Sequence, residues 1–257
     1  MAFESLLNPV FSPLLNLPPF WSILIITLFI SLIVTLIYKY TTDQNLMKRL
    51  KEELKEFQKE VKELKSNPEK AMKVQKRMME TNMKYMMHSF KPMIFTFIPI
   101  ILIFGWLNAH MAYFPILPNK EFTATLFFGN DANGKVEIIV PQGINVINNK
   151  TQEIIDNKAV FRLKGLEGGY ILEFKFNNRQ FTKEVLITDK KEYKLVQEKI
   201  KDKELKTIEI GNEPIKPVKP IPLINKVPWI NNFGWLGTYI LFSILFSMIL
   251  RKVLKIY

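Results

Sequence analysis

Three long stretches of the sequence contain no Lys, Arg, Asp or Glu, and they restrict the fold more than any other feature. They run from Phe20 to Tyr38, from Met93 to Phe114 and from Trp229 to Leu250. An α-helix rises about 1.5 Å per residue, so about 20 residues cross the roughly 30 Å hydrocarbon layer of a bilayer. Since charge-dense segments separate the three stretches, the sequence predicts an α-helical integral membrane protein with three transmembrane helices.

The distribution of basic residues predicts the orientation of these helices. Residues 39–91 contain fourteen Lys and Arg against eight acids, whereas the first nineteen residues contain no Lys or Arg. Residues 251–257 add Arg251, Lys252 and Lys255. Because basic flanks stay in the cytosol, we expect a multi-pass protein of the cell (plasma) membrane. Its N-terminus would lie outside, residues 39–91 and the C-terminus inside, and residues 115–228 outside.

The same features divide the chain into segments. They are an outer-face amphipathic segment (1–19), the first span (20–38), a cytosolic hairpin (39–91), the second span (92–114), an extracytoplasmic β-domain (115–212), a proline-rich linker (213–228), the third span (229–250) and a basic cytosolic tail (251–257). Four prolines interrupt residues 1–19, which disfavours a fourth span. No Lys or Arg precedes Lys39, so the first span is not expected to be a cleaved signal peptide.

The hairpin segment has the pattern of a coiled coil. Apolar residues recur with gaps of 4, 3, 4 and 3 at Leu50, Leu54, Phe57, Val61 and Leu64. This is the rhythm of a coiled-coil seam. Ser66 and Glu69 have the spacing of a capping box, which predicts that the two arms meet there.

The predicted extracytoplasmic segment has a different sequence pattern. Short alternating stretches such as "KVEIIV" and "YILEFKF" are rich in β-branched and aromatic residues. Asn133-Gly134 and Asn177-Asn178 are typical of hairpin turns. Tyr170, in "LEGGY", resembles the tyrosine corner of immunoglobulin-like sandwiches, where the hydroxyl bonds to nearby backbone. The segment therefore predicts a β-rich, sandwich-like domain.

The second hairpin arm carries more apolar surface than a hairpin needs. Six side chains lie within about 60° of one line on a helical wheel: Met72, Met79, Met83, Met86, Met87 and Phe90. Val74, Met78 and Tyr85 form a second stripe nearly opposite. One stripe suffices to pack against the first arm, so the other is left over.

Three interpretations of the methionine stripe remain open. Methionine is flexible and polarizable, so an exposed stripe suits apolar partners of varied shape, such as unfolded hydrophobic cargo. The stripe could instead pack against the first arm or enter the headgroup region. Thioether capture of Cu(I) is a third interpretation, which the absence of Cys and the presence of only two His disfavour.

Polar residues recur inside the apolar stretches. Thr27, Ser31 and Thr35 are spaced by four residues, as are Tyr239, Ser243 and Ser247, which continue to Arg251; the second stretch contains Thr96 and Asn108. Small hydroxylated residues at this spacing are typical of helix packing in lipid. The functional alternative is a shallow hydrated groove open toward the cytosol.

Signatures of an enzyme are missing from the sequence. It has no phosphate-binding glycine loop, no Ser/His/Asp grouping and no His or carboxylate cluster with metal-ligand spacing. We therefore expect no catalytic residues, no cofactor and no metal. The absence of charge inside the three stretches also disfavours an ion channel or transporter.

With these features in place, "QKRMMETNMKYMMHSFKPMIFTFIPIILIFGW" resembles the archaeal YidC-like proteins of the YidC/Oxa/Alb insertase superfamily. Their eukaryotic relatives include a subunit of the ER membrane protein complex. The shared features are a hairpin after the first span, a Met-rich second arm, and Lys91-Pro92 before a span with an early proline, Pro99. The resemblance covers residues 1–114 and 229–257 and leaves out the β-rich insertion.

The resemblance implies a membrane protein insertase or chaperone with a cytosol-open polar groove. It makes groove candidates of Thr27, Ser31, Thr35, Thr96, Asn108, Ser243 and Ser247. It also makes cargo-contact candidates of Met79, Met83, Met86 and Met87, and we extend that set to Met72 and Phe90. Bacterial members of the superfamily place an arginine in the groove, and the first span of this chain has none.

The expected partners are nascent membrane proteins, the ribosome and anionic lipids. The last two follow from the basic charge of residues 39–91, which suits ribosomal RNA or lipid headgroups. The candidate contact residues are Lys48, Arg49, Lys70, Lys73, Lys76 and Arg77. The alternative function is a membrane-anchored structural or receptor protein that binds through its β-domain, with the coiled coil as a tether.

Overall fold

The structure is a computed structural model that describes residues 4–222, 224 and 226–256. Residues 1–3 of the predicted outer-face segment, residues 223 and 225 of the predicted linker and Tyr257 of the predicted tail lie outside the described residues. The chain forms two compact units. The helical unit comprises Met1–Trp106 and Pro217–Tyr257, and the β-unit comprises Leu107–Lys216.

Within the described residues, the helical elements are five α-helices and two short 3₁₀ turns. The helices are α1 (Glu4–Phe11), α2 (Pro19–Thr41), α3 (Gln44–Glu63), α4 (Pro68–Met111) and α5 (Trp235–Val253), and the 3₁₀ turns are Ser12–Asn16 and Leu64–Ser66. Among the residues that the structure describes, three helical stretches are long and apolar enough to cross a membrane: α2, the Pro92–Met111 part of α4, and α5. The prediction of three membrane-type helices is therefore confirmed at this level.

Local sequence explains where the hairpin helices begin. The Asp43 carboxylate accepts hydrogen bonds from the Asn45 and Leu46 amides at 3.0 Å and caps α3. Asn67, whose side-chain oxygen accepts from the Lys70 amide at 3.2 Å, caps α4. The expected capping box that starts at Ser66 is thus wrong, because Pro68 is the first residue of α4 and the preceding residue takes the cap position.

The two arms of the hairpin contact each other through the stripe that contains Val74. On α3, Met47 and Leu50 are buried, and on α4 Val74 and Thr81 are buried. The Arg77 guanidinium lies 4.9 Å from the centre of the Phe57 ring, a cation–π contact between the arms. The coiled-coil register of this pair stays a prediction.

The N-terminal segment docks against two of the long helices. Phe11, the last residue of α1, is buried, and its ring lies 6.1 Å from that of Phe29 and 5.3 Å from that of Trp106. The Trp106 indole donates a 2.8 Å hydrogen bond to the Asn8 side chain. This segment therefore packs into the bundle rather than only lying on its surface.

The β-unit contains nine strands in two antiparallel sheets. The strands are β1 (Glu121–Phe128), β2 (Lys135–Ile139), β3 (Ile144–Val146), β4 (Thr151–Glu153), β5 (Lys158–Gly165), β6 (Gly168–Phe176), β7 (Arg179–Ile187), β8 (Gln197–Lys199) and β9 (Leu205–Ile210). One sheet has the order β3-β5-β1-β9-β8 and the other the order β4-β2-β6-β7. An antiparallel β-domain, as predicted, is therefore present.

One apolar core joins the two sheets. Residues alternate between buried and exposed along β5, as expected for strands with one face on a core. Phe161 of the first sheet lies 5.7 Å from Phe174 of the second, measured between ring centres. The Tyr170 hydroxyl donates to the Leu166 carbonyl at 3.2 Å, so the local bond expected of a tyrosine corner is confirmed.

Candidate functional site

The methionine stripe of α4 lies on the surface of the protein. All six of its side chains are exposed, and we call them the methionine face: Met72, Met79, Met83, Met86, Met87 and Phe90. Met79 is 66% exposed and Met87 is 68% exposed, whereas Val74 on the opposite stripe is 6% exposed. The interpretation in which the methionine stripe packs against the first arm does not fit these exposures.

The methionine face continues along one helix into the second membrane-type stretch. α4 is a single helix of 44 residues that contains Pro92 and Pro99. Ile94, Phe97, Ile98 and Ile101 are exposed like the methionines and lie within about 80° of the same line on the helix. An apolar segment bound at the methionine face could therefore move along α4 without leaving apolar surface.

A cavity lined by both polar and apolar side chains lies between three helices of the helical unit, and we call it the polar cavity because it contains several hydroxyls and a guanidinium. Its volume is about 430 Å³. The lining includes Ser31 and Val34 of α2, Ile100 of α4, and Tyr239, Ser243, Ser247 and Arg251 of α5. The hydroxyls of two facing helices and the guanidinium of Arg251 thus line one concave surface. The surrounding part of the chain is otherwise apolar.

Three of the seven predicted groove residues line this cavity: Ser31, Ser243 and Ser247. Two others on α2 are buried and bond to their own helix, because the Thr27 and Thr35 hydroxyls donate to the carbonyls of Ile23 and Ser31 at 2.6 Å. A hydroxyl that donates to a carbonyl of its own helix in this way needs no water as a hydrogen-bond partner.

The remaining two groove candidates lie on α4, and neither is part of the lining. The Thr96 hydroxyl donates to the Met93 carbonyl at 3.0 Å. Asn108 is exposed, and its backbone carbonyl accepts a hydrogen bond from the Tyr193 hydroxyl of the β-unit. The Ser243 hydroxyl, although it is in the lining, also donates to a carbonyl of its own helix, that of Ile240, at 3.0 Å. The structure therefore places the three serines in the cavity lining and the three threonines outside it.

Arg251 marks one end of the cavity. Its guanidinium lies 4.8 Å from the centre of the Tyr38 ring of α2. Burial raises the pKa of the Tyr85 hydroxyl, and the nearby Tyr38 hydroxyl raises it further while Arg251 opposes the shift. Side chains of α2, α4 and α5 therefore meet here, at the end of the bundle from which the hairpin extends.

The sequence analysis placed Tyr239 and Arg251 on the polar stripe of the third span but did not include them among the groove candidates. Their signal was present, because Tyr239, Ser243, Ser247 and Arg251 follow one another at four-residue spacing and so share a helix face. Arg251 was instead counted with the basic tail. The structure places it in the last turn of α5, where it reaches the cavity.

The predicted ribosome or lipid contacts lie on the hairpin surface. All six are exposed: Lys48, Arg49, Lys70, Lys73, Lys76 and Arg77. Lys73 forms an ion pair with Glu69 at 3.0 Å, and Arg77 stacks on Phe57. Exposure of these side chains leaves their charges accessible to an anionic partner.

Part of the chain matches a known protein family. Residues 4–128 match the family of integral membrane proteins described as EMC3/TMCO1-like. That family belongs to the Oxa1/YidC/Alb3 insertase superfamily. The match covers just under half of the chain, from α1 to the end of β1, and does not include α5. Neither a curated protein nor a solved structure matches the chain. The narrower archaeal YidC-like assignment stays a prediction.

Proposed function

We propose that this protein is a membrane protein insertase or chaperone, which captures hydrophobic segments of nascent proteins and eases them into the bilayer. One observation carries the proposal: an exposed methionine face and a polar cavity lie on the same helical unit, and both include residues of α4. The family matched by residues 4–128 is linked to membrane protein insertion in general. The process requires no chemical step on the cargo, so the protein is proposed not to be an enzyme.

The proposal places the hairpin and the Arg251 end of the bundle in the cytosol. The basic charge of residues 39–91 and of the C-terminal tail supports this orientation. The N-terminus and the β-unit would then lie outside the cell membrane. In this orientation the Arg251 end of the cavity faces the side on which nascent chains are made.

The methionine face acts first in this scheme. Burying a side chain the size of methionine contributes about 1.5–3 kcal/mol, so a few such contacts hold a hydrophobic segment weakly and reversibly. Flexible thioether side chains adapt to different cargo shapes. The bound segment then slides along the exposed face of α4 to lipid.

The polar cavity lowers the barrier for the hydrophilic flank of the cargo. A charged side chain at the bilayer centre costs about 2.5–3.5 kcal/mol on insertion-derived scales. Water held among Ser31, Ser243 and Ser247 reduces that cost over part of the membrane thickness. Burial of the cargo's own apolar span supplies the driving force without nucleotide hydrolysis.

Arg251 gives the cavity a positive charge that the first span lacks. Its position in the cavity lining indicates that acidic flanks are favoured over basic ones. Because the Arg251 side chain is exposed, we expect salt to screen this preference.

The hairpin would also approach the translating ribosome and the membrane surface. Exposed lysines and arginines on both arms suit the phosphates of ribosomal RNA and of anionic lipids. Contact with the ribosome would place the methionine face next to an emerging segment before that segment can aggregate.

Reconstitution tests the proposal directly. The purified protein is incorporated into liposomes and supplied with a two-span cargo protein made in a cell-free system. We expect more protease-protected cargo fragments than in empty liposomes or in liposomes with an unrelated three-span protein. Equal protection in all three preparations would refute the insertase proposal.

A membrane-anchored receptor is the second candidate, and the independent core of the β-unit favours it. Deletion of residues 120–212 distinguishes the two functions. An insertase that works through the helical unit keeps most of its insertion activity after this deletion. A receptor loses binding of its extracellular partner and never shows insertion.

A further inference from the structure

The two sheets of the β-unit have four edge strands, and one of them differs from the rest. The edge strands β3, β4 and β8 each contain 3 residues, whereas the edge strand β7 contains 9. A long open edge is a template for pairing with another strand, and proteins usually shorten or cover such edges. β7 is therefore the place where this fold can accept a further strand.

The register of β7 identifies the backbone groups that face outward. Phe176 and Arg179 flank a two-residue turn and pair with each other, so their amides and carbonyls point at one another. Alternation along the strand then directs the amides of Gln180, Thr182 and Glu184 away from β6. In the described part of the chain these three amides form no hydrogen bond.

The chain itself already uses the far end of this edge. The Thr188 amide, which has the same outward direction, donates to the Ile116 carbonyl at 2.9 Å. Ile116 and Ile187 form a single parallel bridge. The edge can therefore accept backbone pairing, and residues 180–184 are the part left open.

A buried lysine would ordinarily protect such an edge. Lys183 points inward from the middle of β7, and its side chain is 1% exposed. An inward lysine opposes pairing because an added strand buries an unpaired charge. Here the Lys183 ammonium lies 3.0 Å from the Glu198 carboxylate of β8, so the charge is already neutralised within the unit. Pairing along β7 adds no unpaired buried charge.

We propose that β7 is an interaction edge for β7 of a second copy of this chain, paired antiparallel about Thr182. In this register Thr182 faces Thr182 of the second copy, and Gln180 faces Glu184. Each of these hydrogen-bonded pairs exchanges two backbone bonds, which gives about six bonds across the interface. The Gln180 side chain donates one N–H to Glu173 of its own chain at 2.7 Å, and its second N–H is directed to the facing Glu184 carboxylate. Lys194 of the same chain lies 3.1 Å from that Glu184 carboxylate, so no unpaired like charges oppose each other.

Self-complementarity favours a second copy over an unrelated extended polypeptide. Thr–Thr pairs and Gln–carboxylate pairs are both favourable neighbours across antiparallel strands. On the inner face, Phe181 of one copy faces Lys183 of the other. The Phe181 ring then lies beside the Lys183 ammonium, which already pairs with Glu198 of its own chain. This inference does not depend on the insertase proposal, because it concerns the β-unit alone.

The absence of cysteine from the chain makes a disulfide scan possible on an otherwise unchanged background. Thr182→Cys in liposomes is expected to give a disulfide-linked dimer on mild oxidation, since facing α-carbons in such a pair lie about 5.5 Å apart. Gln180→Cys and Glu184→Cys are the matched controls. Each alone stays monomeric because its equivalents are about 13 Å apart along the strands. The double variant cross-links.

Two results would overturn the proposal. One is a Thr182→Cys variant that forms no more dimer than Gln180→Cys; the other is a Thr182→Cys variant that cross-links only to a different polypeptide. A second variant guards against misfolding at the cysteine. Thr182→Pro removes the central outward amide, and edge strands tolerate proline there. We expect it to reduce energy transfer between labelled copies at least tenfold, and unchanged transfer would also refute self-pairing.

Discussion

Apolar side chains are buried in the β-unit of this protein, whereas many of them are exposed in the helical unit. In the β-unit, aromatic side chains such as Phe161 and Phe174 are fully buried, and they hold the two sheets together. In the helical unit, Met79, Met87, Ile94 and Ile98 are each more than half exposed. Membrane lipid accounts for exposure of the last two, which lie in the Pro92–Met111 stretch. It does not account for the methionines, which lie up to five turns before that stretch.

The difference indicates what each unit is built to do. A unit with a closed core is stable alone and offers its partners edges and polar surface. A helix that presents apolar surface beyond the membrane offers a place where another apolar segment can bind. The predictions below test this contrast, beginning with the largest expected effect.

Truncation of the β core should cost far more than truncation of the methionine face. Phe161→Ala removes a fully buried ring, which typically costs about 3–5 kcal/mol of unfolding free energy. Met79→Ala removes an exposed side chain and should cost less than about 0.5 kcal/mol. Hydrogen exchange in the full-length protein measures the first loss in peptides of the β-unit and the second in peptides of α4. A comparable loss for Met79→Ala would show that the methionine face is part of a core.

Removal of apolar character from the methionine face should abolish most cargo capture. Replacement of Met79, Met83, Met86 and Met87 by Gln is expected to reduce insertion into liposomes at least tenfold, because the loss of even one contact worth roughly 1.5–3 kcal/mol corresponds to more than a factor of ten. Replacement of the same four residues by Leu is the matched control, which keeps apolar surface and should retain most activity. Equal losses in both sets would implicate helix geometry instead.

Filling the polar cavity should impair cargo with a hydrophilic flank. The double variant Ser243→Leu, Ser247→Leu replaces two lining hydroxyls with larger apolar groups. We expect a several-fold lower insertion rate for cargo with a charged flank and little change for cargo with none, since only a charge meets the bilayer penalty. Ser243→Ala, Ser247→Ala removes the hydroxyls without filling the space and separates volume from polarity.

The charge of Arg251 should change the preference for acidic over basic cargo flanks by a smaller factor. Arg251→Gln is expected to slow insertion of an acidic flank about threefold, the scale of an exposed charge pair worth under 1 kcal/mol. Arg251→Lys keeps the charge and should restore the acidic preference. High salt should remove the difference in insertion rate between the native chain and the Arg251→Gln variant. A Gln variant with unchanged preference at low salt would exclude a role for this charge.

A pH dependence of the β-unit is expected at high pH. Burial raises the pKa of Tyr193 to about 12, while an unfolded tyrosine ionises near pH 10. The folded state thus favours the neutral phenol, and its stabilising effect is complete below pH 10 and is lost as pH rises toward 12. Hydrogen exchange at pH 9 and pH 11.5 should show this loss in the native chain and in Tyr170→Phe. The Tyr193→Phe variant should show a smaller loss of stability over the same pH range.

The sequence was sufficient for the coarse architecture because the deciding signals were local and strong. Uncharged stretches of membrane length and alternating strands identified the three membrane-type helices and the antiparallel β-domain. The surplus stripe on α4 also followed from a helical wheel. By contrast, the cap of α4 depends on which residue first adopts helical geometry, and Pro68 moved that position to Asn67.

The candidate site was only partly predictable, because hydroxyl spacing does not show where a hydroxyl finds its partner. Thr27 and Thr35 bond to their own helix, whereas Ser31 lines the cavity, although all three share one face. Arg251 reaches the cavity only because α5 continues through its position. The open edge of β7 depends on sheet order, which the sequence pattern did not supply.

Photocrosslinking during translation tests the central claim most directly. A photoreactive residue at Met83, on the methionine face, is compared with one at Lys84, which is exposed on the same turn of α4 but off that face. The cargo is a membrane protein whose first span is just emerging from the ribosome. We predict strong crosslinks to the cargo from position 83 and weak ones from position 84. Crosslinks from position 83 only to lipid or to α3 would contradict cargo capture by the methionine face.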